Sequence, residues 1–159
     1  MKLSKRILAS SDAKLIEDER IARWKEQFIN KRLAPIKAPI SGIIVYIVNG
    51  EAVRDTFESD YSQGGNGFRY TFIPFNEVWI EDRFSEQEMR YIVTHECEEL
   101  VRMRDGMSYS KAHDEAKAIE DKMRHKDLMD KERHDLGVSK DPTLKHPSRE
   151  KFDLSDHQG

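Results

Sequence analysis

The fold class follows most directly from residues 78–106, which read VWIEDRFSEQEMRYIVTHECEELVRMRDG. Val78-Trp79-Ile80 is a short apolar run typical of a buried strand. Ser85 and Glu88 then match a capping box, in which two side chains satisfy free backbone N–H groups of a first helical turn. Apolar residues recur at helical spacing after this box, and Gly106 suits the left-handed conformation that often ends a helix. The stretch therefore predicts a strand followed by a capped helix.

Residues upstream of this stretch predict further strands and turns. Residues 43–48 form an unbroken apolar run rich in β-branched side chains, which predicts a strand buried on both faces. Asn49-Gly50 predicts a hairpin turn, with residues 51–54 as the returning strand. Residues 68–73 alternate like another strand, and no helix follows the glycine cluster at 63–67. The cluster therefore predicts a flexible turn rather than a phosphate-binding loop.

The N-terminal region predicts an amphipathic helix from about Asp12 to Leu33. Its apolar residues recur at three- and four-residue intervals, and Pro35 prevents the helix from continuing. These residues are Ile16, Ile21, Trp24, Phe28, Ile29 and Leu33. The simpler interpretation packs Trp24 and Phe28 on the core. The alternative is an arm that docks on a partner through the apolar stripe and its flanking basic residues.

Together these elements predict an α+β fold. A small, largely antiparallel sheet between residues 43 and 80 packs with an N-terminal helix and with two C-terminal helices. The second C-terminal helix begins near Ser108, and its apolar periodicity fades beyond His125. The last residues carry few large apolar side chains, too few to offset the entropy lost on ordering them.

Charge and composition divide the 159-residue chain and exclude several classes of protein. Residues 1–37 carry a net charge of +5 within a chain whose net charge is −3. We expect a basic N-terminal helical arm (1–37), an α+β core (38–125) and a polar, flexible tail (126–159). The acidic balance argues against a general nucleic-acid coat, and the single cysteine, Cys97, excludes an intramolecular disulfide. The sequence shows neither an apolar run of membrane-spanning length nor a secretory signal. We therefore expect a soluble protein of a reducing compartment.

His95, Glu96 and Glu99 form the best candidate for chemistry. His95 and Glu99 are four residues apart, so one face of the helix presents both, and imidazole and carboxylate groups are both zinc ligands. Glu96 falls within the apolar stripe, where a carboxylate needs a partner, a metal ion or a proton. In a His-Glu-x-x-His helix the glutamate is the general base. Here Glu99 replaces the second histidine and adds negative charge to the site.

The following helix offers partners for these residues. His113 and Glu120 are seven residues apart on its apolar stripe, and the short 105–107 connection predicts antiparallel packing of the two helices. We therefore expect a zinc site with ligands His95, Glu99 and His113. Glu96 would be the catalytic base and Glu120 would orient a ligand. A metal-free hydrogen-bonded network of the same histidine and glutamate side chains is the alternative.

The order of elements from Ile73 to Glu120, about a third of the chain, resembles the minimal zincin-like metallopeptidase core. In that core a strand precedes the active helix and a later helix donates the third ligand. The resemblance rests on His95 and Glu96, with Glu99 at the position of the family's second histidine. It implies a zinc-dependent hydrolase that acts on peptide bonds.

Residues 72–80, His95-Glu96 and residues 106–113 also resemble uncharacterised proteins of bacteriophages and prophages, some encoded near virion genes. This resemblance implies a location in the bacterial cytoplasm or the virion. It favours a second hypothesis, a non-catalytic structural or assembly protein whose N-terminal arm and tail become ordered against neighbouring subunits. Partners would be a peptide substrate or other phage proteins. Nucleic-acid binding ranks last, because acidic residues interrupt the basic arm and no base-reading motif is present.

Overall fold

A computed structural model describes residues 13–137 of the chain. The helices are α1 (Ala13–Lys25), α2 (Gly50–Thr56), α3 (Glu86–Arg104) and α4 (Tyr109–Asp135), and the strands are β1 (Arg32–Leu33), β2 (Ile44–Val48), β3 (Gly64–Asn66) and β4 (Glu77–Glu81). A short 3-10 helix, Glu26–Phe28, follows α1. Within residues 13–137, the chain divides into two compact units after Glu120. Among the described residues, no helix combines the length and the apolar character of a membrane span.

The four strands form one sheet in the order β1-β2-β4-β3. The central strands β2 and β4 are parallel, with Val45 opposite Val78. The outer strands β1 and β3 each pair antiparallel with their neighbour. The predicted α+β fold is confirmed, but the sheet is mixed because a helix and an outer strand intervene between β2 and β4.

The predicted hairpin at Asn49-Gly50 is wrong, because the chain enters helix α2 at this point. The Asn49 side chain accepts a hydrogen bond from the backbone N–H of Ala52 at 2.9 Å and so caps the helix. Asparagine is favoured both in tight turns and at helix N-termini, and here tertiary packing selects the cap. A Cβ at Gly50 would overlap the Glu81 side chain, so glycine allows α2 to lie close to β4.

The glycine cluster is a packed segment rather than the expected flexible turn. Gly64, Gly65 and Asn66 form the buried strand β3 at one edge of the sheet. A Cβ at Gly64 would lie 2.9 Å from the Ile92 side chain, and one at Gly65 would lie 2.7 Å from the Tyr70 ring. Glycine serves close packing here rather than mobility. The strand predicted at residues 68–73 is also wrong, since those residues form turns.

The sheet separates two hydrophobic cores. On one face Val45 and Ile47 of β2 and Val78 and Ile80 of β4 pack with the apolar side of α3. On the other face lies a second cluster that includes Trp79. Since successive side chains of a strand point to opposite faces, both faces of β2 and β4 are buried, as the unbroken apolar run predicted.

Helix α3 begins and ends, and helix α4 begins, close to where the sequence predicts. The Ser85 hydroxyl accepts a hydrogen bond from the Glu88 backbone N–H at 3.1 Å, and Gly106 has a φ of 104°. Arg102 contacts Glu115 near the connection and His95 contacts Glu120 further from it, so the two helices run antiparallel. Helix α4 is longer than predicted, because it extends beyond residue 125. The rest of the expected tail, 138–159, lies outside the described residues.

The N-terminal helix is shorter and more exposed than predicted. It ends at Lys25, and Asn30, with a φ of 52°, turns the chain into strand β1. Ile29 is buried, but the Trp24 and Phe28 residues are 61% and 52% exposed. The interpretation that packed Trp24 and Phe28 on the core is therefore wrong. The docking arm stays a prediction.

Candidate metal centre

Helix α3 carries three polar side chains on the face that it turns toward the protein interior. His95, Glu96 and Glu99 are only 8%, 7% and 2% exposed. The helical period explains these positions, because it places all three side chains on or beside the apolar stripe of the helix. That stripe consists of Met89, Ile92, Val93 and Leu100. Burying such groups costs several kcal/mol unless each is paired or bound to a metal ion, so their partners determine what the site can do.

His95, Glu99 and His113 bring three possible ligand atoms together. The Nε2 atom of His95 lies 3.2 Å from Nδ1 of His113 and 3.3 Å from Oε2 of Glu99, and the last two atoms are 3.1 Å apart. Bonds of 2.0–2.2 Å to a tetrahedral zinc ion place ligand atoms about 3.3–3.6 Å apart. The observed triangle is close to that size, so these three residues can hold a metal ion.

Glu120 of α4 positions the His95 ring. Its Oε1 atom lies 3.0 Å from Nδ1 of His95, the ring nitrogen that points away from the ligand triangle. A carboxylate at this place holds the proton on Nδ1 and leaves the lone pair of Nε2 free for a metal ion. The structure therefore brings together all four of the residues expected to bind or orient the ion.

Glu96 lies beside the triangle but outside it. Its Oε1 atom accepts a hydrogen bond from Nδ2 of Asn66 at 3.1 Å. Burial and the nearby Glu99 carboxylate raise the pKa of Glu96 to about 8, although His95 and Asn66 oppose this rise. A carboxyl group with such a pKa can exchange a proton near neutral pH, which is what general-base chemistry needs.

The electrostatic balance of the cluster is negative. Burial lowers the pKa of His95, but its hydrogen bond to Glu99 and the charges of Glu96, Glu99 and Glu120 outweigh burial and raise it. Three carboxyl groups thus surround two imidazole rings, and either a proton on His95 or a cation can neutralise the excess. A metal ion would compete with that proton, because a ligand nitrogen must be deprotonated.

Asn66 is a central part of the site that sequence analysis missed. This residue is fully buried, and its Nδ2 also donates to Oε1 of Glu99 at 3.0 Å. Its Oδ1 accepts hydrogen bonds from the backbone N–H groups of Phe68 and Arg69 at 2.9 and 3.1 Å. The asparagine therefore joins β3 and the following turn to helix α3. Its place within a glycine cluster indicated a turn and gave no sign of this contact.

The remaining cysteine and histidine side chains of the described region do not belong to this cluster. Cys97, on α3, is fully buried in the core, and burial raises the pKa of its thiol to about 12. His125 and His134 are exposed on α4, as expected from their charged surroundings. Within residues 13–137, the group of His95, Glu99 and His113 is the one arrangement that can hold a metal ion.

Comparisons with known proteins give no match from which the role of this site could be inferred. No protein-family model, no curated protein and no solved structure matches this chain. The resemblances to a zincin-like core and to phage proteins therefore stay predictions.

Proposed function

We propose that this chain binds one zinc ion through His95, Glu99 and His113 and is a metal-dependent hydrolase of peptide bonds. The observation that carries the proposal is the triangle of ligand atoms, 3.1–3.3 Å on each side, that two helices form at the edge of the core. Glu120 adds support, because a histidine that binds a metal ion in a protein usually hydrogen-bonds to a carboxylate or another acceptor through its second ring nitrogen.

The ligand types favour zinc over the hard cations. Two imidazole nitrogens and one carboxylate oxygen suit zinc, whereas magnesium and calcium prefer oxygen ligands throughout. Three protein ligands also leave one tetrahedral position for a substrate or a solvent molecule, as catalytic zinc sites require. The Glu99 carboxylate in place of a histidine makes the site more negative, which increases its affinity for cations.

The residues of the chain then have distinct roles in hydrolysis. A bound zinc ion would supply Lewis acidity toward a substrate carbonyl. Glu96 accepts the proton of the attacking water and passes it to the leaving amine. Asn66 holds the carboxyl group of Glu96 in place through its side-chain amide. Glu120 keeps the His95 ring in one tautomer and orientation.

Metal analysis of the purified chain tests the proposal. We expect close to one equivalent of zinc, and we expect His95→Ala to abolish it, because the ligand triangle loses the vertex that Glu120 orients. His125→Ala is the matched control, since this histidine lies exposed on α4 and should leave the zinc content unchanged. A metal-free chain whose thermal stability does not respond to chelators or to added zinc would instead support the metal-free hydrogen-bond network.

A second candidate function is favoured by the exposed apolar residues of α1 and of the 3-10 helix that follows it. Ile16, Ile21, Trp24 and Phe28 are each between 39% and 61% exposed, and the Trp24 and Phe28 rings pack edge to face, 5.2 Å apart. Large exposed apolar residues in one segment are typical of an interaction surface. We propose as this second function a structural or assembly protein of a phage particle. Limited proteolysis tests it: full protection of residues 1–37 and 126–159 in a monomer would contradict it.

A further inference from the structure

Arg69 and His113, one of the proposed ligands, both lie beside the same aromatic ring, that of Tyr109. Its Cζ atom is 4.3 Å from the centre of the Tyr109 ring and 4.7 Å from the centre of the Tyr70 ring. The centre of the Tyr109 ring is in turn 5.5 Å from that of His113, one of the three proposed ligands. The guanidinium group is therefore held beside two rings on the His113 side of the metal centre.

The hydrogen-bonding capacity of this guanidinium group is only partly used. Within residues 13–137, the Nε atom of Arg69 is buried and has no hydrogen-bond partner. The guanidinium group hydrogen-bonds to the Tyr109 side chain. Its contact between Nη2 and Asp60 is long, at 3.6 Å, and the Asp60 side chain is 56% exposed. Exposed ion pairs of this kind contribute little to stability, whereas a buried donor without an acceptor is costly. The Nε atom itself is enclosed by protein, but the Arg69 side chain as a whole is 30% exposed, so an acceptor that arrives with a ligand can reach it.

The position of Arg69 is tied to the metal centre through the backbone. Its N–H donates to Oδ1 of Asn66, whose Nδ2 donates to both Glu96 and Glu99. Gly67, between Asn66 and Arg69, is so close to the Pro74 carbonyl group that a Cβ would overlap it. The turn that carries Arg69 therefore has little freedom to move relative to α3.

We propose that Arg69 binds a carboxylate group of the substrate next to the metal centre. The proposal deepens the proposed hydrolase function and rests on it. Arginine presents a planar fork of donors that matches a carboxylate, and contact with aromatic rings fixes the plane of that fork. Glu99 and Glu120 place negative charge at this site, so a fixed cation beside it favours the binding of a substrate anion. The substrate class is a peptide with a carboxylate near the scissile bond, either its free C-terminus or an acidic side chain.

Calorimetric titration of the zinc-loaded chain with small probes tests the proposal. The probes are benzoylglycine, which has a free terminal carboxylate, benzoylglycinamide, which has none, and the α-amide of N-benzoylaspartic acid, which has a free side-chain carboxylate. We expect at least one carboxylate probe to bind about tenfold more tightly than the neutral amide, as a charge-assisted bidentate contact allows. Arg69→Met should reduce that preference to about twofold or less without changing the zinc content.

The controls separate this proposal from the proposed function. Arg90→Met is the matched control, because Arg90 also lies beside an aromatic ring on α3, that of Tyr91, and should keep the preference. A preference that survives in Arg69→Met would overturn the proposal, since the carboxylate would then bind elsewhere. Arg69→Gln gives the same answer if the methionine variant does not fold. A chain that takes up no zinc would contradict the proposed hydrolase, and the same titrations of the metal-free chain would still test Arg69.

Discussion

Two buried side chains, Asn66 and Glu81, organise the polar interior of this protein at the scale of single residues. Asn66 uses both ends of its amide, with Nδ2 on Glu96 and Glu99 and Oδ1 on two backbone N–H groups. Glu81 accepts hydrogen bonds from Arg54 at 2.8 Å, from the Gln63 backbone N–H at 2.6 Å and from Arg83 at 3.0 Å. Because buried polar groups cost free energy when unpaired, such residues permit one arrangement of their neighbours.

The Glu81 carboxylate makes the stability of the fold depend on pH. Burial raises the pKa of Glu81, but its hydrogen bonds from Arg54, Gln63 and Arg83 outweigh burial and hold the pKa below its ordinary value. A carboxyl group whose pKa is lower in the folded state stabilises that state above its unfolded pKa. This contribution is lost as the pH falls through the folded pKa.

Glu81→Gln should therefore lower the free energy of unfolding by about 1.5–3 kcal/mol at pH 7, the usual contribution of hydrogen bonds to a charged group. The difference from the wild-type chain should narrow as the pH falls below about 4. Urea denaturation across this pH range measures both effects. Asp82→Asn, at an exposed neighbouring position, should change stability by less than about 0.5 kcal/mol. A deficit in Glu81→Gln that is constant with pH would show that lost packing, not lost charge, is its cause.

At the scale of elements, the site depends on how closely β3 and its following turn approach α3. Gly64 and Gly65 leave no room for a Cβ next to Ile92 and Tyr70, respectively. Asn66, at the end of this strand, then reaches the carboxyl groups of α3. A strand with larger side chains would hold the asparagine too far from the helix. The three consecutive residues thus function as one unit.

Gly67→Ala tests this close packing directly. The added methyl group would overlap the Pro74 carbonyl group, which is backbone and cannot turn away, so the segment must shift. Overpacking of this kind lowers the free energy of unfolding by about 1–3 kcal/mol, measurable by urea denaturation. Ser62→Ala, at an exposed position, should cost less than about 0.5 kcal/mol. Equal stability of the two variants would mean that the segment is as flexible as its glycine content suggested.

At the scale of the whole molecule, the two tryptophans differ in their exposure to solvent. Trp79 is fully buried in the core between α2 and the sheet, whereas Trp24 on α1 is 61% exposed. The chain contains two tryptophans, so single substitutions isolate the fluorescence of each. The comparison also tests whether the apolar side of α1 is covered by a partner in solution.

Acrylamide should quench the Trp79→Phe variant, which retains Trp24, several-fold more strongly than the Trp24→Phe variant, which retains Trp79. The physical reason is that collisional quenching requires contact with the indole ring, and only an exposed ring allows it. Stern–Volmer plots at low protein concentration give the comparison. If Trp24 becomes protected as the protein concentration rises, α1 mediates association, which would favour the second candidate function.

Local patterns were enough to predict several parts of this molecule. The capping box at Ser85, the left-handed residue at Gly106 and the buried strand at residues 44–48 all depend on neighbours a few positions apart. The helical period likewise placed His95 and Glu99 on one face, because residues four apart are adjacent on any α-helix. The α+β class followed from the same patterns.

Tertiary packing determined three features that the sequence did not predict. They are the position of Asn66, the helix that follows Asn49 and the exposure of Trp24. Asparagine is common in hairpin turns, at helix N-caps and as a buried residue that hydrogen-bonds two segments. The neighbouring residues in the sequence therefore cannot decide which of these roles it has. The contact of Asn66 with Glu99 joins residues 33 positions apart. Such a contact exists only once the sheet and α3 have packed together, since the free energy that favours it comes from burial of both elements.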